Sequence, residues 1–296
     1  MFTATHEVEK AHDDGIWCVA WAKGANLVVT GSVDETIKCW NGDTGDLVRT
    51  LKGHCLGVNA VDADATGRRL LSTSLDHSMI LWNLDTGEQV TRIQTNPVET
   101  WGAQLAPEGD IIAAGSQTGD VNLWSVETGG KIQVLKTSGD FSMAIAYSPN
   151  GKYVACGSKA GAIDIFDVEM GKLIHSLHGH SMAIRTLAFS PDSAQLYSGS
   201  DDHRVQVYDV QHGETIATFS GHGSWVLSVA SHGDGTHVAS GSADRTIKLW
   251  DVRARQCVDT LTHHTDQVWG LAFNAKSNQL VSVSEDKSVR WYKAVV

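Results

Sequence analysis

At 296 residues, 42% hydrophobic and 19% charged, with only four prolines, the chain has the composition of a folded protein with a substantial core and not of a disordered one. Its 34 acidic against 23 basic side chains leave a formal charge of −11, which argues against direct nucleic-acid binding and against anionic membrane surfaces. No apolar run reaches the roughly 18 residues of a membrane-spanning helix, MFTATHEVEK is unlike a secretory leader, and five scattered cysteines without a CxxC pair read as reduced thiols.

The chain repeats itself. From its start, Thr5 to Lys10 aligns with Leu47 to Lys52 as a short strand ahead of a turn histidine. That histidine, His12, recurs as His54, His180, His222 and His264, at steps of 42 residues or a multiple of 42. An aromatic recurs every 42 residues at Trp40, Trp82, Trp124, Phe166, Tyr208, Trp250 and Tyr292. Seven such units account for 294 of the 296 residues, so one domain over 1–296 is expected. Each unit reads as four short strands between turns: in the sixth, WVLSVA, HVASGS, TIKLWDV and QCVDTLT. The seventh ends after its third strand, so the strand at Thr5–Lys10 is expected to complete it and close a ring.

Twenty-two residues after each repeat histidine stands an aspartate, and four before that a hydroxyl. The pairs are His12 and Asp34, His54 and Asp76, His180 and Asp202, His222 and Asp244, and His264 and Asp286; the hydroxyls are Thr30, Ser72, Ser198, Ser240 and Ser282. In the third and fourth units all three lapse together, to Asn96, Ala114 and Thr118 and to Ser138, Cys156 and Ala160. Joint loss is the mark of a hydrogen-bonded network, because a buried histidine whose partners are gone costs about 1–3 kcal/mol. Five equivalent copies also argue against a hydrolytic triad, which needs one special constellation. No phosphate loop or zinc-ligand spacing is present, and His232 and His237 read as scattered turn residues, so no catalytic residue, metal or cofactor is expected.

Counting from the repeat histidine, the fourth and seventh positions are mostly apolar and read as core. The fifth is Trp17, Asn59, Trp101, Met143, Arg185, Leu227 and Trp269; the third is Gly15, Gly57, Glu99, Phe141, Ala183, Trp225 and Gln267. Such mixed columns cannot form a uniform core layer. Trp17, Trp101, Phe141, Arg185, Trp225 and Trp269 are therefore expected to form an aromatic and cationic ring on one face that binds protein partners.

The Gly-His, the turn Asp and the dipeptides Trp40-Asn41, Trp82-Asn83, Trp124-Ser125, Phe166-Asp167, Tyr208-Asp209, Trp250-Asp251 and Tyr292-Lys293 resemble the WD-repeat family, although only three of the seven keep Asp. The resemblance spans the chain and implies an all-β, seven-bladed, monomeric β-propeller. Segments such as AHDDGIWCVAW, PVETWGAQLAPEG and HTDQVWGLAF resemble, more narrowly, the WD-repeat subunits of the superkiller complex, which in animals also belong to the RNA polymerase II-associated factor complex. That likeness implies a non-enzymatic scaffold in two settings. One is the cytoplasm, where a helical-repeat subunit and a helicase degrade mRNA with the exosome. The other is the nucleus, with elongation-factor subunits, transcription elongation and histone modification. A substrate receptor of a ubiquitin ligase is the alternative.

Overall fold

The computed structural model describes residues 2–96, 100–137 and 140–295, so Glu99 and Ser138 lie outside the described residues. Twenty-eight strands among them form seven four-stranded antiparallel sheets, the blades of an all-β propeller. Blade one is β2 (Ile16–Ala22), β3 (Leu27–Ser32), β4 (Thr36–Asn41) and β5 (Leu47–Lys52), from the axis outward. The other innermost strands are β6 (Val58–Ala63), β10 (Ala103–Leu105), β14 (Ser142–Tyr147), β18 (Ile184–Phe189), β22 (Val226–Ser231) and β26 (Val268–Phe273).

The alternation of apolar residues in the middle strands is what stacks the blades, since both faces of each sheet must be covered by a neighbour. Val29, Ile37 and Cys39 of blade one pack against Val58, Leu70, Ile80 and Trp82 of blade two in one buried cluster. Close approach needs small residues in the second strands. A Cβ added at Gly199 would meet Val226 at 2.6 Å, and at Gly157 Ile184 at 2.5 Å, so the next blade's fourth-position residue occupies that space.

The ring closes through β1 (Phe2–Val8), which pairs antiparallel with β28 (Val289–Ala294) as the fourth strand of the last blade. Its bounds differ from the Thr5–Lys10 expected from the period, and its register is slipped by one residue. In the other blades the slot beside the start of the third strand holds Leu51, Ile93, Leu135, Leu177, Phe219 or Leu261. The period would place Glu9 there. The strand instead seats Val8 against Val289, and Lys10 takes up the extra residue in a left-handed turn at φ 51°. Keeping a carboxylate out of a half-buried apolar slot decides the register.

Each of the five expected networks is formed. In blade two the buried His54 sets Nδ1 3.1 Å from Asp76 Oδ2 and Nε2 2.8 Å from Ser72 Oγ, which accepts the Trp82 indole N–H at 2.9 Å. His12, His180, His222 and His264 repeat the histidine contacts, with 2.8–2.9 Å to Asp34, Asp202, Asp244 and Asp286. The aromatic link recurs from Trp40 and Trp250, whereas the Tyr208 hydroxyl donates to Gln206 and the buried Tyr292 hydroxyl has no partner among the described residues. A second hydroxyl that the sequence reading missed, Ser78 in blade two, donates to Asp76 Oδ1 at 2.6 Å. The two lapsed blades differ in what they leave behind. Phe166 in blade four has no indole N–H to satisfy. Trp124 in blade three retains a buried Nε1 that has no acceptor among the described residues, because Ala114 stands where the five blades with networks carry a hydroxyl.

Two expected outcomes arise here. His54→Ala should cost about 1–3 kcal/mol by stranding Ser72 and Asp76. Ala114→Ser should raise stability by about 0.5–1.5 kcal/mol, by giving the Trp124 N–H its acceptor. Urea midpoints measure both, and an Ala114→Ser protein no more stable than the parent would show that the indole does not need that hydroxyl.

The networks also set a pH dependence. Burial lowers the His54 and His180 pKa values against the opposing pull of Asp76 and Asp202. The folded state therefore prefers these histidines neutral, and that stability is complete above the ordinary histidine pKa of about 6.5 and lost as pH falls. Burial pushes Asp76 upward, but bonds from Ser78 and the Cys55 N–H outweigh it and hold the carboxyl at about 2, so its contribution fades only in stronger acid. Melting temperature should thus fall between pH 7 and pH 5, and less steeply in His54→Gln; parallel slopes would contradict the assignment.

Candidate functional site

The inner strands hold one irregularity in common. Pairing with the second strand slips between Ile16 and Cys18, Val58 and Ala60, Ser142 and Ala144, Ile184 and Thr186, Val226 and Ser228, and Val268 and Gly270. The unpaired residue at each β-bulge is the fifth-position residue: Trp17, Asn59, Met143, Arg185, Leu227 and Trp269. A bulge breaks the strict alternation of the strand and re-aims the extra side chain. It also reconciles the two apolar columns, because positions four and seven can then share the sheet face turned to the preceding blade, as Val58 does over Gly31 and Val19 over Gly270. In blade three β10 begins only at Ala103, and Trp101 is held just before it by its N–H to the Gly115 carbonyl at 2.8 Å.

All seven fifth-position side chains line one cavity of about 250 Å³ at the axis, on the face toward which the N-terminal ends of the inner strands point. Beneath them the seventh-position ring of Val19, Val61, Ala103, Ile145, Leu187, Val229 and Leu271 narrows the channel. The neighbours expected from ring closure meet: Trp17 and Trp269 have ring centroids 6.1 Å apart, and Trp101 meets Phe141 edge to face at 5.3 Å. Trp225 is 43% exposed on the rim, with the Arg185 guanidinium 5.5 Å from its ring centre.

Two acids at this mouth escaped the sequence reading. Glu285 Oε2 accepts both the Trp17 and the Trp269 indole N–H, at 3.2 and 3.0 Å. Asp201 receives Arg185 in a two-pronged pair at 2.9 and 2.8 Å. Both stand one residue before the repeat aspartate, in a column reading Val33, Leu75, Gln117, Lys159, Asp201, Ala243 and Glu285. The column test that singled out positions three and five would have found them. Within the expected aromatic and cationic ring the one cation, Arg185, is thus paired with Asp201, and the carboxylate of Glu285 backs two of the indoles that line the cup. Asn59 is likewise engaged, donating to the Trp101 carbonyl at 2.6 Å and accepting from Thr73 at 2.6 Å, which anchors the irregular third blade.

The family model described as WD domain, G-beta repeat matches residues 4–41, 45–83, 129–167, 171–209, 213–251 and 255–293. The chain belongs to the WD-repeat family. No matched segment covers residues 84–128, the unit with the orphaned Trp124 N–H and the three-residue β10. Among sequence relatives, the WD-repeat protein is 45% identical over 64 residues to WD repeat-containing protein VIP3 of Arabidopsis thaliana, covering 20% of each chain. It is 36% identical over 76 residues to Superkiller complex protein 8 of Dictyostelium discoideum, covering 25% of this chain and 24% of the relative. A Denticleless protein homolog of Danio rerio is 42% identical over 52 residues, which are 18% of this chain and 8% of that one. The matched stretches thus span a quarter or less of these relatives' length.

Away from the axis, the structure gathers two histidines that the sequence reading left scattered. His232 and His237 flank Asp234 on one turn of blade six.

Proposed function

We propose that the protein is a non-enzymatic interaction scaffold whose axial cup grips an apolar segment of a larger partner, in an assembly of the superkiller type acting on mRNA in the cytoplasm and on transcription elongation in the nucleus. The bulges are the observation that supports this. Six blades interrupt their innermost ladder at the same point, and the residue so freed is the one that differs from blade to blade. A fold concerned only with its own stability would fill that position uniformly, as it fills position seven. Half-buried indoles around an apolar cup are the composition of an interface hot spot, large in contact area and low in entropy cost. The choice of assembly rests on the likeness to superkiller protein 8.

Affinity purification from cells followed by mass spectrometry tests it. Recovery of a helicase, a helical-repeat subunit and elongation-factor subunits from both compartments is the expected result. Recovery of a ubiquitin-ligase scaffold in their place would transfer the reading to substrate reception.

A further inference from the structure

We propose that His232, Asp234 and His237 form a binding site for a divalent transition metal of the zinc type, at the joint between blade six and the closing blade. The three residues sit on and beside the hairpin turn between β22 and β23 (His237–Ser242). Asp234 Oδ1 lies 3.1 Å from His232 Nδ1, Asp234 Oδ2 lies 2.6 Å from His237 Nδ1, and all three ligand atoms fall within 4.8 Å of one another. Ligands at about 2.0–2.2 Å in tetrahedral array stand roughly 3.3–3.5 Å apart, so small rotations convert this cluster into a coordination shell. Two imidazoles and a carboxylate leave the fourth position to water; Asp251, whose Oδ2 is 3.8 Å from His237 Nε2, lies off the opposite ring nitrogen.

The turn itself does not require these side chains. Blades four and five make the same turn with Ser148 and Ser190, whose hydroxyls accept the Tyr153 and Gln195 N–H groups at 2.8 Å each. Across the seven blades the two columns read Ala22 and Leu27, Asp64 and Arg69, Ala106 and Ile111, Ser148 and Tyr153, Ser190 and Gln195, His232 and His237, and Asn274 and Gln279. Histidine fills both positions in blade six alone. Asp234 is fixed in place by the N–H groups of Thr236 and His237 at 2.8 and 3.0 Å, which hold Oδ1 and leave Oδ2 to the imidazole. The His232 ring is braced edge-on by Phe273 of the neighbouring blade at 5.2 Å, and the Gly233 N–H reaches across to Ser277. A cavity of about 210 Å³ opens beside the cluster, walled by Phe2 and Ala294 of the closing blade, so an ion has access and its binding would brace this joint.

The full-length protein, reduced, is titrated with Co2+ and the visible d–d bands are followed, with Zn2+ then added in competition. One equivalent of metal is expected, displaced by Zn2+, with affinity falling at least tenfold in His232→Gln and in His237→Gln. The double variant separates this site from the exposed Cys55 and Cys257 thiols, which it leaves intact. Imidazole NMR signals of the unsubstituted protein give a second readout that needs no variant: two of the fourteen histidines should shift with the first equivalent of Zn2+. Unchanged metal affinity in the double variant, or no histidine shift at one equivalent, overturns the proposal.

Discussion

A protein lacking residues 1–10 is expected to melt about 5–8 °C lower than the full chain and to self-associate. The deletion removes the whole fourth strand of the last blade, with Phe2, which is buried against Phe273 at 6.0 Å, and the Glu7 partner of Arg290. Loss of the apolar burial and ladder bonds together amounts to about 3–5 kcal/mol. It also strips β28 of its outer partner while β27 stays paired, exposing an open edge beside Trp291 and Tyr292, which are 2% and 0% exposed in the closed ring. Such an edge is a template for pairing with another copy. Scanning calorimetry and size-exclusion chromatography measure the two effects. Equal melting temperature and a monomeric elution volume in the truncated protein would show that this strand is dispensable. A finer comparison tests the register: Val8→Asp should destabilise clearly, because Val8 holds the slot beside Val289, while Glu9→Ala should not.

What the sequence disclosed follows from how each feature is encoded. Blade number and blade order were legible because every blade spends one residue of each kind at the same step, so a 42-residue period survives even where His, Asp or Trp is replaced. The networks were legible through their failures: Asn96, Ala114 and Thr118 depart together because each is useless without the others. The register of β1 was not legible from the period, since it depends on a choice between Val8 and Glu9 that only the slot beside Val289 imposes. Nor were the bulges, which have no residue signature here: Trp, Asn, Met, Arg and Leu all occupy them. Composition marked position five as unusual, but its shared aim into one cavity is a property of ladder geometry. The mixed column of Glu285 could mark the residue, but its role stayed hidden for a related reason. Its partners Trp17 and Trp269 come from the first and last blades, and only the closed ring brings their two N–H groups to one carboxylate oxygen.

The double variant Trp101→Ala, Trp269→Ala should keep the fold and lose the partner. The loss expected for truncating hot-spot indoles is about 2–4 kcal/mol, roughly 30- to 1000-fold in dissociation constant. The fold should survive for reasons visible around each ring. Trp101 is held through its backbone, by Asn59 at its carbonyl and Gly115 at its N–H, and these bonds do not depend on the indole. Removing Trp269 leaves Glu285 its bond from Trp17 at 3.2 Å, so the carboxylate is not stranded. Leu187→Ala, one ring deeper and 5% exposed, should behave in the opposite way, costing about 2–5 kcal/mol of stability through the cavity it leaves between blades. Thermal melts followed by calorimetric titration with the partner segment separate the two classes. Full affinity in a well-folded double variant would remove the axial cup from the interface. Attention would then pass to the outer rim between blades two and three, where Val90 and Ile132 are 65% and 57% exposed beside a groove of the unit that departs furthest from the repeat.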